Sequence, residues 1–137
     1  MSVLAAVIPD DASYSAVLRA AGELAGAEAF EVATFHPGPA NHFEEQRTAK
    51  ARNDIRSRIE QDLAARSLNA SVSVPLAGLG HLGDEIVAHA ERAGARVIVI
   101  GTRGRTGLSL FFMGSVAEHV VRHARCDVYV ARPPPSD

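Results

Sequence analysis

The sequence predicts an α/β domain: a single open, mostly parallel five-stranded sheet with helices on both faces. Short apolar, β-branched runs alternate with longer amphipathic stretches along the chain. Alternation of that kind implies parallel strands joined by crossover helices. The run Val97-Ile98-Val99-Ile100 is apolar at every position, as a strand covered on both faces must be. Glycine clusters follow two strand-like runs directly, at 78–83 and from Gly101 onward. In open α/β sheets these carboxyl-edge turns are where ligands sit.

Residues 3–8 are a continuous apolar run and read as the first strand. Pro9 breaks it, and Asp10, Asp11 or Ser13 can cap the helix that follows. That helix runs to about Gly26, with Val17, Leu18, Ala21, Leu24 and Ala25 on its inner side. Residues 30–35 read as the second strand, and 36–41, with Pro37, Gly38 and Pro39, as a turn-rich loop. A long helix is expected from Phe43 to about Leu68. Its buried stripe is Ile55, Ile59 and Leu63 at four-residue spacing. The six basic and five acidic side chains between Glu44 and Arg66 read as a solvated face with i,i+4 pairs such as Asp54 with Arg58.

Residues 71–77 read as the third strand, 84–93 as a helix ended by Gly94, and 97–100 as the fourth strand. A loop at 101–114 leads to a helix at 115–124, and Asp127–Ala131 is the last strand. The domain is expected to span 1–132, with 133–137 a flexible proline-rich tail.

With 137 residues the chain fits one domain with a proper core. A net charge of -2 argues against nucleic acid as a partner, since phosphate-backbone binders carry a basic excess. No apolar run approaches membrane-spanning length, and the first residues lack the basic segment of a signal peptide. Cys126 is the single cysteine, so no internal disulfide can form and a reducing cytoplasm is expected. Lys50 is the single lysine.

The loop after the fourth strand carries the most specific pattern, Gly101-x2-Gly104-x9-Gly114-Ser115. Gly101, Gly104 and Gly107 allow tight turning and close approach to a ligand. Ser115 and Glu118 have the spacing of a capping box. The helix they open would point free N–H groups and a partial positive charge at the loop, which suits phosphate, and Arg103 and Arg105 add charge. The bland alternative is a glycine-rich turn before a well-capped helix, with no ligand.

This pattern resembles the nucleotide-binding signature of the universal stress protein family. The flanking segments 95–107, 113–118 and 123–130 are similar to it too, and the likeness covers almost the whole chain. The resemblance implies strand order 3-2-1-4-5, homodimers commonly formed through the last strand, Asp127–Ala131, and binding of ATP or a related adenine nucleotide. Carried over by position, it assigns phosphate and ribose contacts to Gly101, Arg103, Gly104, Gly114, Ser115 and Val116, with Ile100 where the loop begins. The family's nucleoside-contacting aspartate corresponds to Ile8, with Asp10 and Asp11 close by as substitutes. The residue whose backbone pairs with adenine corresponds to Pro37, which has a carbonyl but no N–H.

Other motifs weigh less. Gly78-Leu79-Gly80-His81-Leu82-Gly83 is a literal G-x-G-x-x-G, but the next strand does not close on the acid a dinucleotide fingerprint needs. No phosphate-binding lysine motif exists. His119 and His123 stand four apart, a chelating spacing without a third ligand in view. Cys126 reads as a small buried hydrophobe, or as a thiol activated by Arg125. The function expected is a nucleotide-binding, stress-response regulatory dimer, without nucleic acid or membrane as partner. Asp10 and Asp11 are the carboxylates available to a magnesium ion. The alternatives are a member that has lost nucleotide binding and works through protein contacts, or a slow ATPase.

Overall fold

The computed structural model describes residues 2–102 and 114–133. In chain order the elements are β1 (Val3–Ala6), α1 (Tyr14–Ala25), β2 (Phe30–Ala33), β3 (His36–Pro37), a 3-10 turn (His42–Glu44) and α2 (Glu45–Ala65). There follow β4 (Ala70–Ser73), β5 (Leu76–Ala77), α3 (Leu82–Ala93), β6 (Val97–Gly101), α4 (Ser115–His123) and β7 (Asp127–Ala131).

The main sheet has the order β4-β2-β1-β6-β7, and every neighbouring pair is parallel. Counting only its own strands along the chain, this is 3-2-1-4-5, the order the sequence resemblance implies. The labels shift because the stretch expected as one strand, 71–77, is split. Pro75 has no N–H to continue a ladder, and its carbonyl instead accepts from the His36 N–H at 3.0 Å. The short strand after this bend, β5, pairs in parallel with β3, the short strand after β2, and the two form their own two-stranded sheet.

Alternate residues of the central strands feed two cores. Val3, Ala5, Val97 and Val99 face α1 and α2, with Leu18, Ile59 and Leu63. Leu4, Ala6, Ile98 and Ile100 face α3 and α4, with Ile86 and Val120. Both faces of β1 and β6 are covered, which is why their sequences are apolar without alternation. Leu18 and Ile98 are fully buried, and each contributes about 1.5–3 kcal/mol of transfer free energy.

Helix α2 follows its expected stripe, with Ile59 and Leu63 buried, but not its expected ion pair. Asp54 pairs with Lys50 at 3.4 Å, and Arg58 reaches Asp10 at 2.9 Å. Arg58 thus ties α2 to the segment between β1 and α1. Among the described residues no helix is long and apolar enough to cross a membrane. The proline-rich tail expected at 133–137 lies, beyond Pro133, outside the described residues.

Candidate functional site

Strand β1 pairs with β2 on one side and β6 on the other, so the crossovers diverge at its carboxyl end. A doubly wound sheet leaves a crevice at such a switch point. Here it is a cavity of about 330 Å³. The ends of β1 and β6 contribute Val7, Ile8, Ile100 and Gly101. Helix α4 contributes Val116 and Ala117, behind Gly114. Leu82 and Ile86 of α3 form one wall, and Tyr14 of α1 with Ile55 of α2 forms the facing one. Asp11, Ser13 and Thr34 are the polar side chains in this mainly apolar lining.

Four of the residues expected at the site, Ile100, Gly101, Gly114 and Val116, meet at the cavity. Arg103 and Gly104 lie outside the described residues. Ser115, the first residue of α4, is exposed and outside the lining. Pro37 is exposed in β3, apart from the lining, and its carbonyl already accepts from His36 Nδ1 at 2.8 Å. Asp10 is drawn outward to Arg58 and does not line the cavity; its neighbour Asp11 does. The Asp11 carboxylate accepts the Ser13 N–H at 3.0 Å and also the Ser13 hydroxyl. Asp11, rather than Asp10, is therefore the acid at the cavity.

The structure also corrects how the helix begins. Gly114, not Ser115, is the N-cap, and no side chain caps it. The Glu118 N–H bonds to the Gly114 carbonyl at 2.9 Å, while the Glu118 carboxylate turns to Arg122 at 2.8 Å. The expected capping box fails because an i,i+4 arginine is the nearer partner. Ser115, Val116 and Ala117 then carry the N–H groups that an α-helix cannot satisfy internally. The base of the loop is pinned by Gly114 N–H to the Thr102 carbonyl and Thr102 N–H to the Ala131 carbonyl, both at 3.3 Å.

Gly101 has a different role from the one its place in the loop suggests. A Cβ there would overlap the side chain of Ser13 and sit 3.4 Å from Val17. Its missing side chain makes room for α1 against β6.

Sequence reasoning missed the walls. Tyr14 is buried, and its hydroxyl donates to Asp62 of α2 at 2.7 Å. Burial, then that bond, pushes the phenol above its usual range. An aromatic at the first turn of the helix leaving β1 was the available signal; Ile55 offered none beyond its core stripe.

Beside the cavity, His81 caps α3 by accepting the Gly83 N–H at 2.9 Å. Its ring stacks on His119, centroids 4.2 Å apart, and His119 stacks on His123 at 4.1 Å. Asp84 accepts from His119 Nε2 at 2.6 Å. That bond holds the Asp84 carboxyl below the usual carboxylate range. Cys126 is not an activated thiol: burial raises its pKa, and the Arg125 guanidinium lies 3.7 Å from Glu91.

An open parallel sheet with a cavity of about 330 Å³ at its switch point defines a doubly wound α/β class of protein. Residues 1–132 match the model of the universal stress protein family, and the chain belongs to that family. A universal stress protein of Methanocaldococcus jannaschii is 49% identical over 51 residues, which is 37% of this chain and 30% of that protein. The match thus spans under a third of that relative's length. The structure of a universal stress protein from Archaeoglobus fulgidus superposes with a TM-score of 0.72 at 25% identity, covering 96% of this chain and 93% of that one. A structure from the same organism in complex with dAMP gives 0.68 at 26% identity, covering 96% and 97%.

Proposed function

We propose that this protein binds an adenine nucleotide in the switch-point cavity and acts as a regulatory dimer in a stress response. The observation that carries this reading is the cavity bounded by the uncapped first turn of α4, in a family with a member solved in complex with dAMP. The N–H groups of Ser115 and Val116, beside Gly114, receive phosphate. Gly101 and Ile100 form the floor, and Arg103 and Gly104 complete the phosphate seat. Adenine packs in the apolar slot against Ile8, Tyr14 and Ile55. Asp11 replaces Asp10 as the acid for the ribose or for a magnesium ion. Pro37 is assigned no contact, because it lies apart from the cavity lining.

Turnover is not proposed. Phosphoryl transfer ordinarily recruits a lysine and metal-holding carboxylates, and Lys50 stands on exposed α2 paired with Asp54. The dimer forms through β7, an edge strand with Tyr129 46% exposed. Edge strands present unpaired backbone groups to a second copy. The protein works in the cytoplasm, without nucleic acid or membrane as partner, through a protein partner of unassigned identity. Residues 1–132 act as one domain. One observation favours a second reading, a member that signals by protein contacts alone: Ile8 puts an aliphatic side chain into the cavity where the sequence resemblance expects an aspartate.

The test is to analyse the purified protein for co-purifying nucleotide and to titrate ATP, ADP and AMP by calorimetry. Saturable binding of an adenine nucleotide supports the proposal. No heat and no thermal stabilisation at millimolar ATP defeats it in favour of the second reading. Rapid phosphate release establishes an enzyme instead.

A further inference from the structure

We propose that the stacked histidines His81, His119 and His123 form a proton-operated latch on the seam between α3 and α4: neutral rings hold the seam closed, and charging more than one of them opens it. Imidazole is the side chain whose ordinary titration falls between pH 5 and 8. Here three rings stand in one column with centroids 4.2 and 4.1 Å apart; His81 and His123 are exposed and His119 is half-buried between them, and at this spacing like charges repel even near a protein surface. One carboxylate faces the column, Asp84 on His119 Nε2 at 2.6 Å, so one added charge is compensated and the next is not.

Among the described residues, no second carboxylate is bonded to the column. His81 sits at the N-terminus of α3 and accepts the Gly83 N–H, so the helix dipole opposes a cation there. His123, in the last turn of α4, donates to the His119 carbonyl at 2.8 Å, the one favourable end of the column. Along α4, Glu118 is paired with Arg122. On α3, Glu85 is bonded to the Gly78 N–H, and at the far end of the seam Glu91 meets Arg125. β7, which packs against α4, brings Asp127 at its amino end. The middle ring lies close over Gly83, where an added Cβ would come within 2.6 Å of His119 Cδ2, so the two helices meet at this ring. Repulsion is relieved by parting the helices. Both helices wall the cavity, through Leu82 and Ile86 on one and Val116 and Ala117 on the other. An opened seam therefore reshapes the cavity.

The experiment is amide hydrogen exchange on the whole protein at pH 7.5 and 5.5, without ligand, comparing protection factors in α4 with those in β1. The expected result is a selective loss of α4 protection at pH 5.5. Each proton that the closed seam excludes accounts for about a tenfold loss, from the ordinary imidazole titration midpoint. The variant His81→Gln/His123→Gln is expected to keep its α4 protection, while His89, present in both proteins, cancels from the comparison. If the double variant does not fold, His123→Gln alone is expected to show a smaller loss than wild type. Equal losses in wild type and variant, or no loss in wild type, overturn the latch. The link to ligand rests on the function proposed above: ADP affinity then falls between pH 7.5 and 5.5 more in wild type than in the variant. No ADP binding at either pH defeats the nucleotide reading and leaves the latch to be decided by exchange.

Discussion

The two glycine-rich turns that lead from strand to helix look alike in sequence and end in opposite ways. The turn before α3 consumes its own polar groups. His81 accepts the Gly83 N–H, and Glu85 accepts the Gly78 N–H at 3.0 Å. The turn before α4 has no side-chain cap, and its first residues border the cavity. The turn carrying the literal dinucleotide fingerprint is therefore the closed one. Whether a helix N-terminus can receive an anion depends on which neighbours already accept from its N–H groups, and glycine spacing does not report that.

The sharpest way to break this comparison is a bulky residue in each turn. Gly114→Val is expected to weaken ADP binding by at least about a hundredfold, the scale of losing several charge-assisted hydrogen bonds, with unchanged far-UV circular dichroism. Gly80→Val, where an added Cβ meets nothing within 4 Å, is expected to leave calorimetric affinity unaltered. Equal affinities for the two variants would make the α4 turn purely structural.

A second comparison concerns packing. Gly83→Ala drives a Cβ into the His119 ring and is expected to cost about 1–3 kcal/mol in urea denaturation, the range for overpacking. Removing the cap of the closed turn by His81→Ala is expected to cost about 1 kcal/mol by the same measurement.

The smallest effect belongs to Asp84. Its carboxyl is depressed in the fold, chiefly by the bond to His119, so the native state holds fewer protons there than the unfolded chain. Its stabilising contribution is present above the ordinary carboxylate range and is lost as pH falls through the depressed native value. Thermal midpoints of Asp84→Asn and wild type are expected to converge as the pH falls through and below that range. A gap that persists in acid would assign Asp84 a role other than charge.

Most of the architecture was legible because burial on both faces writes itself into composition. Val97–Ile100 could be little else than a central strand, and the last strand, Asp127–Ala131, matches its expected limits residue for residue. What was not legible depended on competition between partners. Glu118 fits a capping box by spacing, yet Arg122 one turn on takes it. Arg58 fits an i,i+4 pair, yet Asp10, 48 residues away, takes it. Pro75 gave a visible sign that 71–77 would break, and the alternating Val72 and Val74 masked it. At the site, Gly101 was identified but its reason was not: a glycine that admits a neighbour and a glycine that admits a ligand are spelled the same way.

That glycine has a consequence for how the molecule comes into being. Ser13 and Gly101 interlock across most of the chain's length, and β1, in the middle of the sheet, gains its second flank only when β6 pairs with it. Contacts so distant in sequence close late, after the loop between them has been ordered. On a ribosome, the amino-terminal strand must wait with one edge bare until β6 emerges, and the pocket is among the last features of the protein to exist.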